Sequence, residues 1–254
     1  MIALPDRVHL FGDGSVYDAD GALTATVGKI HLMSSLGAAM LMSGRAIAAP
    51  FVAYMLERQA KSFDDLRDHV AEWLPQIELQ AEALHGEDEK GFRLLFGGWS
   101  AAKSKPIAFA IATIDSPTHD AFTVIELNNA QTPVLTPAEI ERGFGRPLSM
   151  DDVVDDIEAL ATRVLELQRL QPWPDGSYKV GGFAELCTIT RDRLEFKVLK
   201  RWNDTLGEPI KPEPVTSWPD WRQRGGGAEL IQISRLQREI AERKAKKAQR
   251  RGHG

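Results

Sequence analysis

The chain is poor in the features that would assign a function by themselves. It has one cysteine, Cys187, so no intrachain disulfide can close, and a reducing, cytoplasmic setting is the expectation. No run of about 18 apolar residues is present, which excludes an ordinary membrane-spanning helix. The opening MIALPDRVHL carries Pro5, Asp6 and Arg7 where a secretory leader would need an apolar core. His9, His31, His69, His85, His119 and His253 are scattered, and none forms a metal-ligand spacing such as HxxxH. No metal and no cofactor are expected.

What is present fits an ordinary globular protein. The 254 residues are 43% hydrophobic and 26% charged, enough for one large or two small domains with a core of normal size. Charge is unevenly spread. From Arg235 to Arg251 there are eight Lys or Arg against two Glu, a net of +6, which leaves −11 elsewhere to give −5 overall. The chain is an acidic globule with a basic tail.

The pattern of apolar residues predicts strands first: VHLF and SVYD, then ALTATV, KIHLM and AAMLM, with a tight turn at Asp18-Ala19-Asp20-Gly21. A helix is predicted over 44–60 with Ile47, Phe51, Tyr54 and Met55 on its inner face. A second follows over 62–84, capped by Ser62 with Asp65 and carrying Leu66, Val70, Trp73 and Leu74 inward; Pro75 should kink or split it. Strands return as FRLLFGGW, PIAFAIATI and FTVIELNN. Thr136-Pro137-Ala138-Glu139 starts a helix, and a longer one is predicted over 150–170 with Val153, Ile157, Leu160, Val164 and Leu167 inward. FAELCTITRD and RLEFKVLKRW form a last strand pair, in which Cys187 reads as a buried small hydrophobe. Strand runs separated by helix pairs indicate an α+β fold rather than alternating βαβ units. The natural solution is a four-layer αββα sandwich of two antiparallel sheets, with helices 44–60 and 62–84 on one outer face and helix 150–170 on the other.

In VHLFGDGSVYD, GKIHL, MLMSGRAIAAPFVAYML and KVGGFAEL, in that order, the chain resembles the proteasome subunits and their bacterial relatives of the N-terminal-nucleophile (Ntn) hydrolase fold. The resemblance covers residues 1–205. That family shows a strand ending in Asp, a Lys-Ile pair after the next turn, a small-Gly step into a helix and a Gly-Gly opening of a late strand. It implies that a mature N-terminal Thr, Ser or Cys attacks an amide carbonyl while its α-amino group takes the proton, an amine whose ordinary pKa of about 7.7–8.0 suits a base at neutral pH. By the same resemblance Asp13 matches the family's Asp, Lys29 the Lys that tunes the site, sixteen positions on, and Gly44, one position late, the glycine whose N–H stabilises the oxyanion. Asp13 and Lys29 are then expected to pair near Gly44; the same two residues also read as a structural ion pair between strands.

The nucleophile has no counterpart, since counting back from Asp13 places it before Met1. Ser177 and Val180 stand where the family has an Asp and a Ser before Gly181-Gly182. The resemblance therefore implies a catalytically silent subunit that assembles as a homo-oligomer, of the kind a phage or prophage accessory protein would be. The alternative is an active amide hydrolase, a threonine-type peptidase, whose true N-terminus lies upstream of Met1. Residues 206–227, rich in Pro, Trp and Gly, read as an extended arm. Residues 228–254 read as a basic amphipathic helix suited to a protein partner. Its Lys and Arg would also neutralise nucleic-acid phosphates, the weaker reading, because no aromatic residues interleave them.

Overall fold

The computed structural model describes residues 1–44, 46–85, 91–128 and 135–224. It is a mixed α+β structure with antiparallel sheets and, among the described residues, six α-helices. The chain divides into two compact units, Met1–Pro133 with Lys179–Ile210, and Val134–Tyr178 with Lys211–Gly254. The predicted helix 228–254 lies outside the described residues.

In the first unit, β1 (Ile2–Ala3), β2 (Val8–Asp13), β10 (Phe183–Ile189) and β11 (Leu194–Arg201) form a four-stranded sheet in the order β1-β2-β10-β11. β3 (Ser15–Tyr17) and β4 (Leu23–Thr26) form a hairpin. Its turn is made by Asp18, whose carboxylate accepts the N–H groups of Asp20 and Ala22, and by Gly21 at φ +79°. β5 (Ile30–Met33), β6 (Ala38–Gly44), β7 (Phe92–Ser100), β8 (Lys105–Ala112) and β9 (Ile125–Leu127) make a five-stranded sheet in sequence order, every pair antiparallel.

The two sheets pack face to face through Val8, Leu10, Cys187 and Ile189 of one and Ile30, Ala39 and Ala108 of the other. The opposite face of the five-stranded sheet carries α1 (Ala49–Gln59) and α2 (Phe63–His85) over a core of Met40, Met42, Phe63, Phe92, Phe96 and Phe109. Adjacent glycines in β7 show how tightly both faces are covered. A Cβ on Gly97 would lie 2.8 Å from Val8 and 2.9 Å from Ile189, and one on Gly98 would lie 2.6 Å from the Phe63 ring.

The helices depart from the sequence reading in instructive ways. Residues Ala46–Ala48 form a 3-10 turn, so α1 starts only at Ala49. Its buried face is Ala49, Val52, Ala53 and Leu56, while Ile47 is 69% and Tyr54 55% exposed, the reverse of the predicted face for those two. The tighter 3-10 winding puts Ile47 out of phase with the helix that follows, and small residues let α1 approach the sheet closely. α2 runs unbroken through Pro75, with Phe63, Leu66, Val70, Leu74, Ile77 and Ala81 all buried. Burial of both halves on one sheet outweighs the roughly 3 kcal/mol that an interior proline costs. Ser62 does accept the Asp65 N–H, but the Asp65 carboxylate reaches the N–H of Lys61, one residue further back than in a capping box.

In the second unit α3 (Pro137–Phe144) starts at Thr136 with Pro137 in its first turn, as its sequence predicts, and Thr136 and Glu139 close a capping box. The predicted helix 150–170 is two helices, α4 (Met150–Asp155) and α5 (Ile157–Arg169). The break is Asp156, at φ −156° and ψ 85°, whose carboxylate accepts the Ala159 N–H and so caps α5 instead of continuing α4. The inward stripe holds at Val153, Leu160, Val164 and Leu167, all buried. Part of the stretch read as an extended arm is helical: α6 (Trp218–Arg224) sets Trp218 edge-on to Trp221 at 5.4 Å. The buried Arg163 guanidinium of α5 lies 4.3 Å from the Trp221 ring and donates to the carbonyls of Trp221 and Arg222, satisfying the helix end.

Candidate functional site

β2 ends in Gly12-Asp13-Gly14, and the last two of these set the site. A Cβ on Gly14 would lie 2.5 Å from the Phe183 ring, so only glycine lets the chain turn out of β2 here. Gly14 donates its N–H to the Phe183 carbonyl at 2.8 Å and, more weakly, to that of Gly181 at 3.2 Å, which ties the end of β2 to the start of β10. The Asp13 carboxylate is thereby delivered to the end of the four-stranded sheet, where it is nearly buried.

Each Asp13 oxygen is used. Oδ1 pairs with Lys29 Nζ at 2.7 Å, both side chains being about one-seventh exposed (14% and 13%). Oδ2 accepts the N–H groups of Ser15 at 3.0 Å and Gly181 at 3.2 Å, and meets the Ser15 hydroxyl. That hydroxyl is buried and also lies 2.6 Å from the Lys179 carbonyl. Lys29 immediately precedes β5, and its carbonyl accepts the Met42 N–H of β6 at 3.1 Å. Asp13 and Lys29, sixteen residues apart, are therefore brought together as the sequence predicts, between the end of one sheet and the start of the other.

Gly44 closes β6, two residues beyond Met42, and pairs with Phe92. Its φ is +102°, and a Cβ there would lie 2.9 Å from the Gly91 carbonyl, so its backbone conformation requires glycine. Ser177 bonds locally, donating to the Asp175 carboxylate at 2.6 Å.

Glu185 of β10 is the functional residue that the sequence reading did not single out. It is fully buried on the face of the four-stranded sheet that meets the other sheet. Its Oε1 accepts the N–H groups of Lys29 at 2.7 Å and Ile30 at 2.8 Å, fastening the start of β5 to β10 across the two sheets. Its Oε2 has no hydrogen-bond partner among the described residues, and a Cβ on Gly28 would lie 3.1 Å from it. Burial, opposed by the two backbone N–H groups and raised further by the Asp13 charge, pushes the Glu185 carboxyl up to about 7. The signal in the sequence was parity. In FAELCTI, Glu185 alternates in step with Cys187 and Ile189, which face the core, so a charge stands where the strand pattern demands an apolar residue.

Cys187 itself lies in the core between the sheets, and burial pushes its thiol up to about 12, so it is inert at neutral pH. His9, on the other face of the same sheet, is buried with its Nδ1 2.9 Å from the Thr188 hydroxyl, and burial holds it down to about 4. Among the described residues no three His, Cys, Asp or Glu side chains converge so as to hold a metal ion, and no helix is long and apolar enough to cross a membrane.

No protein-family model matches the chain, and no curated protein matches it.

Proposed function

We propose that the chain is a proteasome-subunit-like protein of the Ntn-hydrolase fold that serves as an oligomeric assembly or accessory subunit and does not hydrolyse amides. The observation that carries this reading is the Asp13–Lys29 pair at 2.7 Å, sixteen residues apart, at the end of two antiparallel sheets stacked face to face. α1 and α2 cover the outer face of the five-stranded sheet, and in this reading the fold is a four-layer αββα sandwich. The site is occupied with its own bonds. Asp13 is spent on Lys29 and backbone N–H groups, and the hydroxyl beside it, that of Ser15, is buried between a carboxylate and a carbonyl. The carboxylate beside that hydroxyl is already paired with the Lys29 ammonium, and the hydroxyl itself is buried away from any substrate.

Assembly is supported by large apolar side chains on the helix layer. Ile47, Tyr54, Leu79 and Leu84 are 69%, 55%, 58% and 64% exposed, an excess that fits contact with other chains. Native mass spectrometry tests this, with exposure to a β-lactone or peptide boronate that captures N-terminal nucleophiles. A homo-oligomer without an adduct is the expected result; a monomer at tens of micromolar, or a stoichiometric adduct, overturns it.

One observation favours a second reading, that of an active hydrolase with its mature N-terminus upstream of Met1. In the β1–β2 register, Ile2↔His9 and Ala3↔Val8, facing residue numbers sum to 11. A strand continued back from Met1 would set the third residue before it opposite Asp13. The adduct in the same experiment would select this reading.

A further inference from the structure

The Asp13–Lys29 pair and the Glu185 clasp share a residue. Lys29 gives its ammonium to Asp13 and its backbone N–H to Glu185. Two carboxyls and one ammonium thus meet in a largely buried place, and one carboxyl oxygen, Glu185 Oε2, has no donor among the described residues. Little else there carries charge. β11 sets Val198 opposite Glu185. The residues of β6 and β7 in the core between the sheets, Ala39, Leu41 and Leu95, are apolar. Among the described residues, the other titratable groups of this core are Cys187 on the same strand, a neutral thiol, and the Met1 amine, which burial holds down to about 5. With both carboxyls ionised, the cluster would hold a net charge of −1 out of water.

We propose that Asp13, Lys29 and Glu185 form one proton-binding clasp between the two sheets, in which the two carboxyls share one ammonium and one bound proton, and in which loss of that proton makes Lys29 the counter-ion of both. Two carboxylates beside a single cation cannot both ionise cheaply in a dry place, so the less solvated and less hydrogen-bonded one keeps its proton. Asp13 has the ammonium, two backbone N–H groups and a hydroxyl; Glu185 has two backbone N–H groups on one oxygen. Glu185 is therefore the proton carrier. Deprotonation breaks its O–H bond and passes the proton to solvent base. The orphan oxygen then becomes an anion, and the Lys29 ammonium is the cation whose charge it feels. Burial pushes the Glu185 carboxyl to about 7, so the exchange falls near neutral pH. The same carboxyl holds the first residues of β5, so the proton state is felt where the two sheets join. The clasp is independent of whether the protein assembles or hydrolyses anything.

Carboxyl carbon-13 NMR of the full chain from pH 4 to 9 tests it. The Glu185 carboxyl resonance should titrate near 7, not near 4.5. The Asp13 carboxyl resonance should show an inflection at the same pH, because the two sites are coupled. Asp13→Asn should move the Glu185 midpoint down by roughly one pH unit or more, since it removes the repelling charge and frees Lys29 for Glu185. Lys29→Met should move it up. A Glu185 midpoint in the ordinary carboxylate range, or an Asp13 resonance indifferent to Glu185 ionisation, overturns the clasp. Both are read in the unsubstituted protein, so neither depends on a variant that folds.

Discussion

The two faces of the five-stranded sheet are built on opposite principles. The face under α1 and α2 is filled with large apolar side chains, among them Met40, Met42, Phe96 and Phe109, with Phe96 stacked on Phe109 at 4.7 Å. The face toward the four-stranded sheet carries Ile30, Ala39, Gly97 and Ala108, meets Val8, Leu10, Cys187 and Ile189 of that sheet, and ends where Lys29 joins Asp13 and Glu185. One face gains stability from apolar volume. The other brings two backbones close and then spends part of that gain on buried charge. A buried ion pair is poor evidence for stability, so the contrast locates the part of the molecule whose composition is not explained by folding alone.

Substitutions on the two faces should separate these principles. The largest effect is expected for Phe96→Ala on the helix side, a loss of about 3–5 kcal/mol from transfer and cavity terms, measured as a fall in the urea midpoint at unchanged slope. Asp13→Ala comes next, at about 3 kcal/mol, because it strands the Lys29 ammonium and the N–H groups of Ser15 and Gly181. Loss of under about 0.5 kcal/mol, the scale of a surface change, would mean that the pair is solvated and contributes nothing. Gly97→Ala should cost about 1–3 kcal/mol by overpacking, since its Cβ would press on Val8 and Ile189. The comparison breaks if this methyl is tolerated.

The sharpest effect is in pH dependence. Glu185 is raised from 4.5 to about 7 in the folded protein, so its contribution to stability is complete below 4.5 and is lost as pH rises through 7. His9 is lowered from 6.5 to about 4, so the unfolded chain binds the extra proton, and stability rises with pH between 4 and 6.5. Between 4.5 and 6.5 the two oppose each other. Glu185→Gln should remove one of them and leave stability climbing over that window, read from urea midpoints at three pH values. A pH profile identical to that of the unsubstituted chain would contradict the assignment.

Local signals were legible in the sequence where they are complete within a few residues. The Asp18–Gly21 turn, the Thr136 N-cap and the buried stripe of α2 needed no information from elsewhere in the chain. The reading failed where two local preferences competed. The larger residues Ile47 and Tyr54 suggested one face for α1, while the close approach to the sheet selected Ala49, Val52, Ala53 and Leu56. Asp156 was compatible with a helix interior by position, yet its side chain competes for backbone N–H groups and ends one helix to begin the next. Trp218 and Trp221 looked like arm residues until α6 placed them beside Arg163 of α5. Of the site, the Asp13–Lys29 pairing was legible through the resemblance of the motifs that carry the two residues; Glu185 was visible only as a break in strand parity.

By itself the sequence determined the α+β class, the grouping of strands and helices, and the sixteen-residue interval that lets Asp13 meet Lys29. These follow from periodicity, turn residues and chain length, which act over short distances. Only the tertiary structure decided that Glu185, 156 residues from Lys29, closes on its backbone, and that its second oxygen is left without a donor among the described residues. The physical reason is that burial and hydrogen-bond satisfaction belong to the packed arrangement of both sheets. A carboxyl that is ordinary in the unfolded chain becomes a proton carrier only when β10 lays it against the start of β5 and water is excluded.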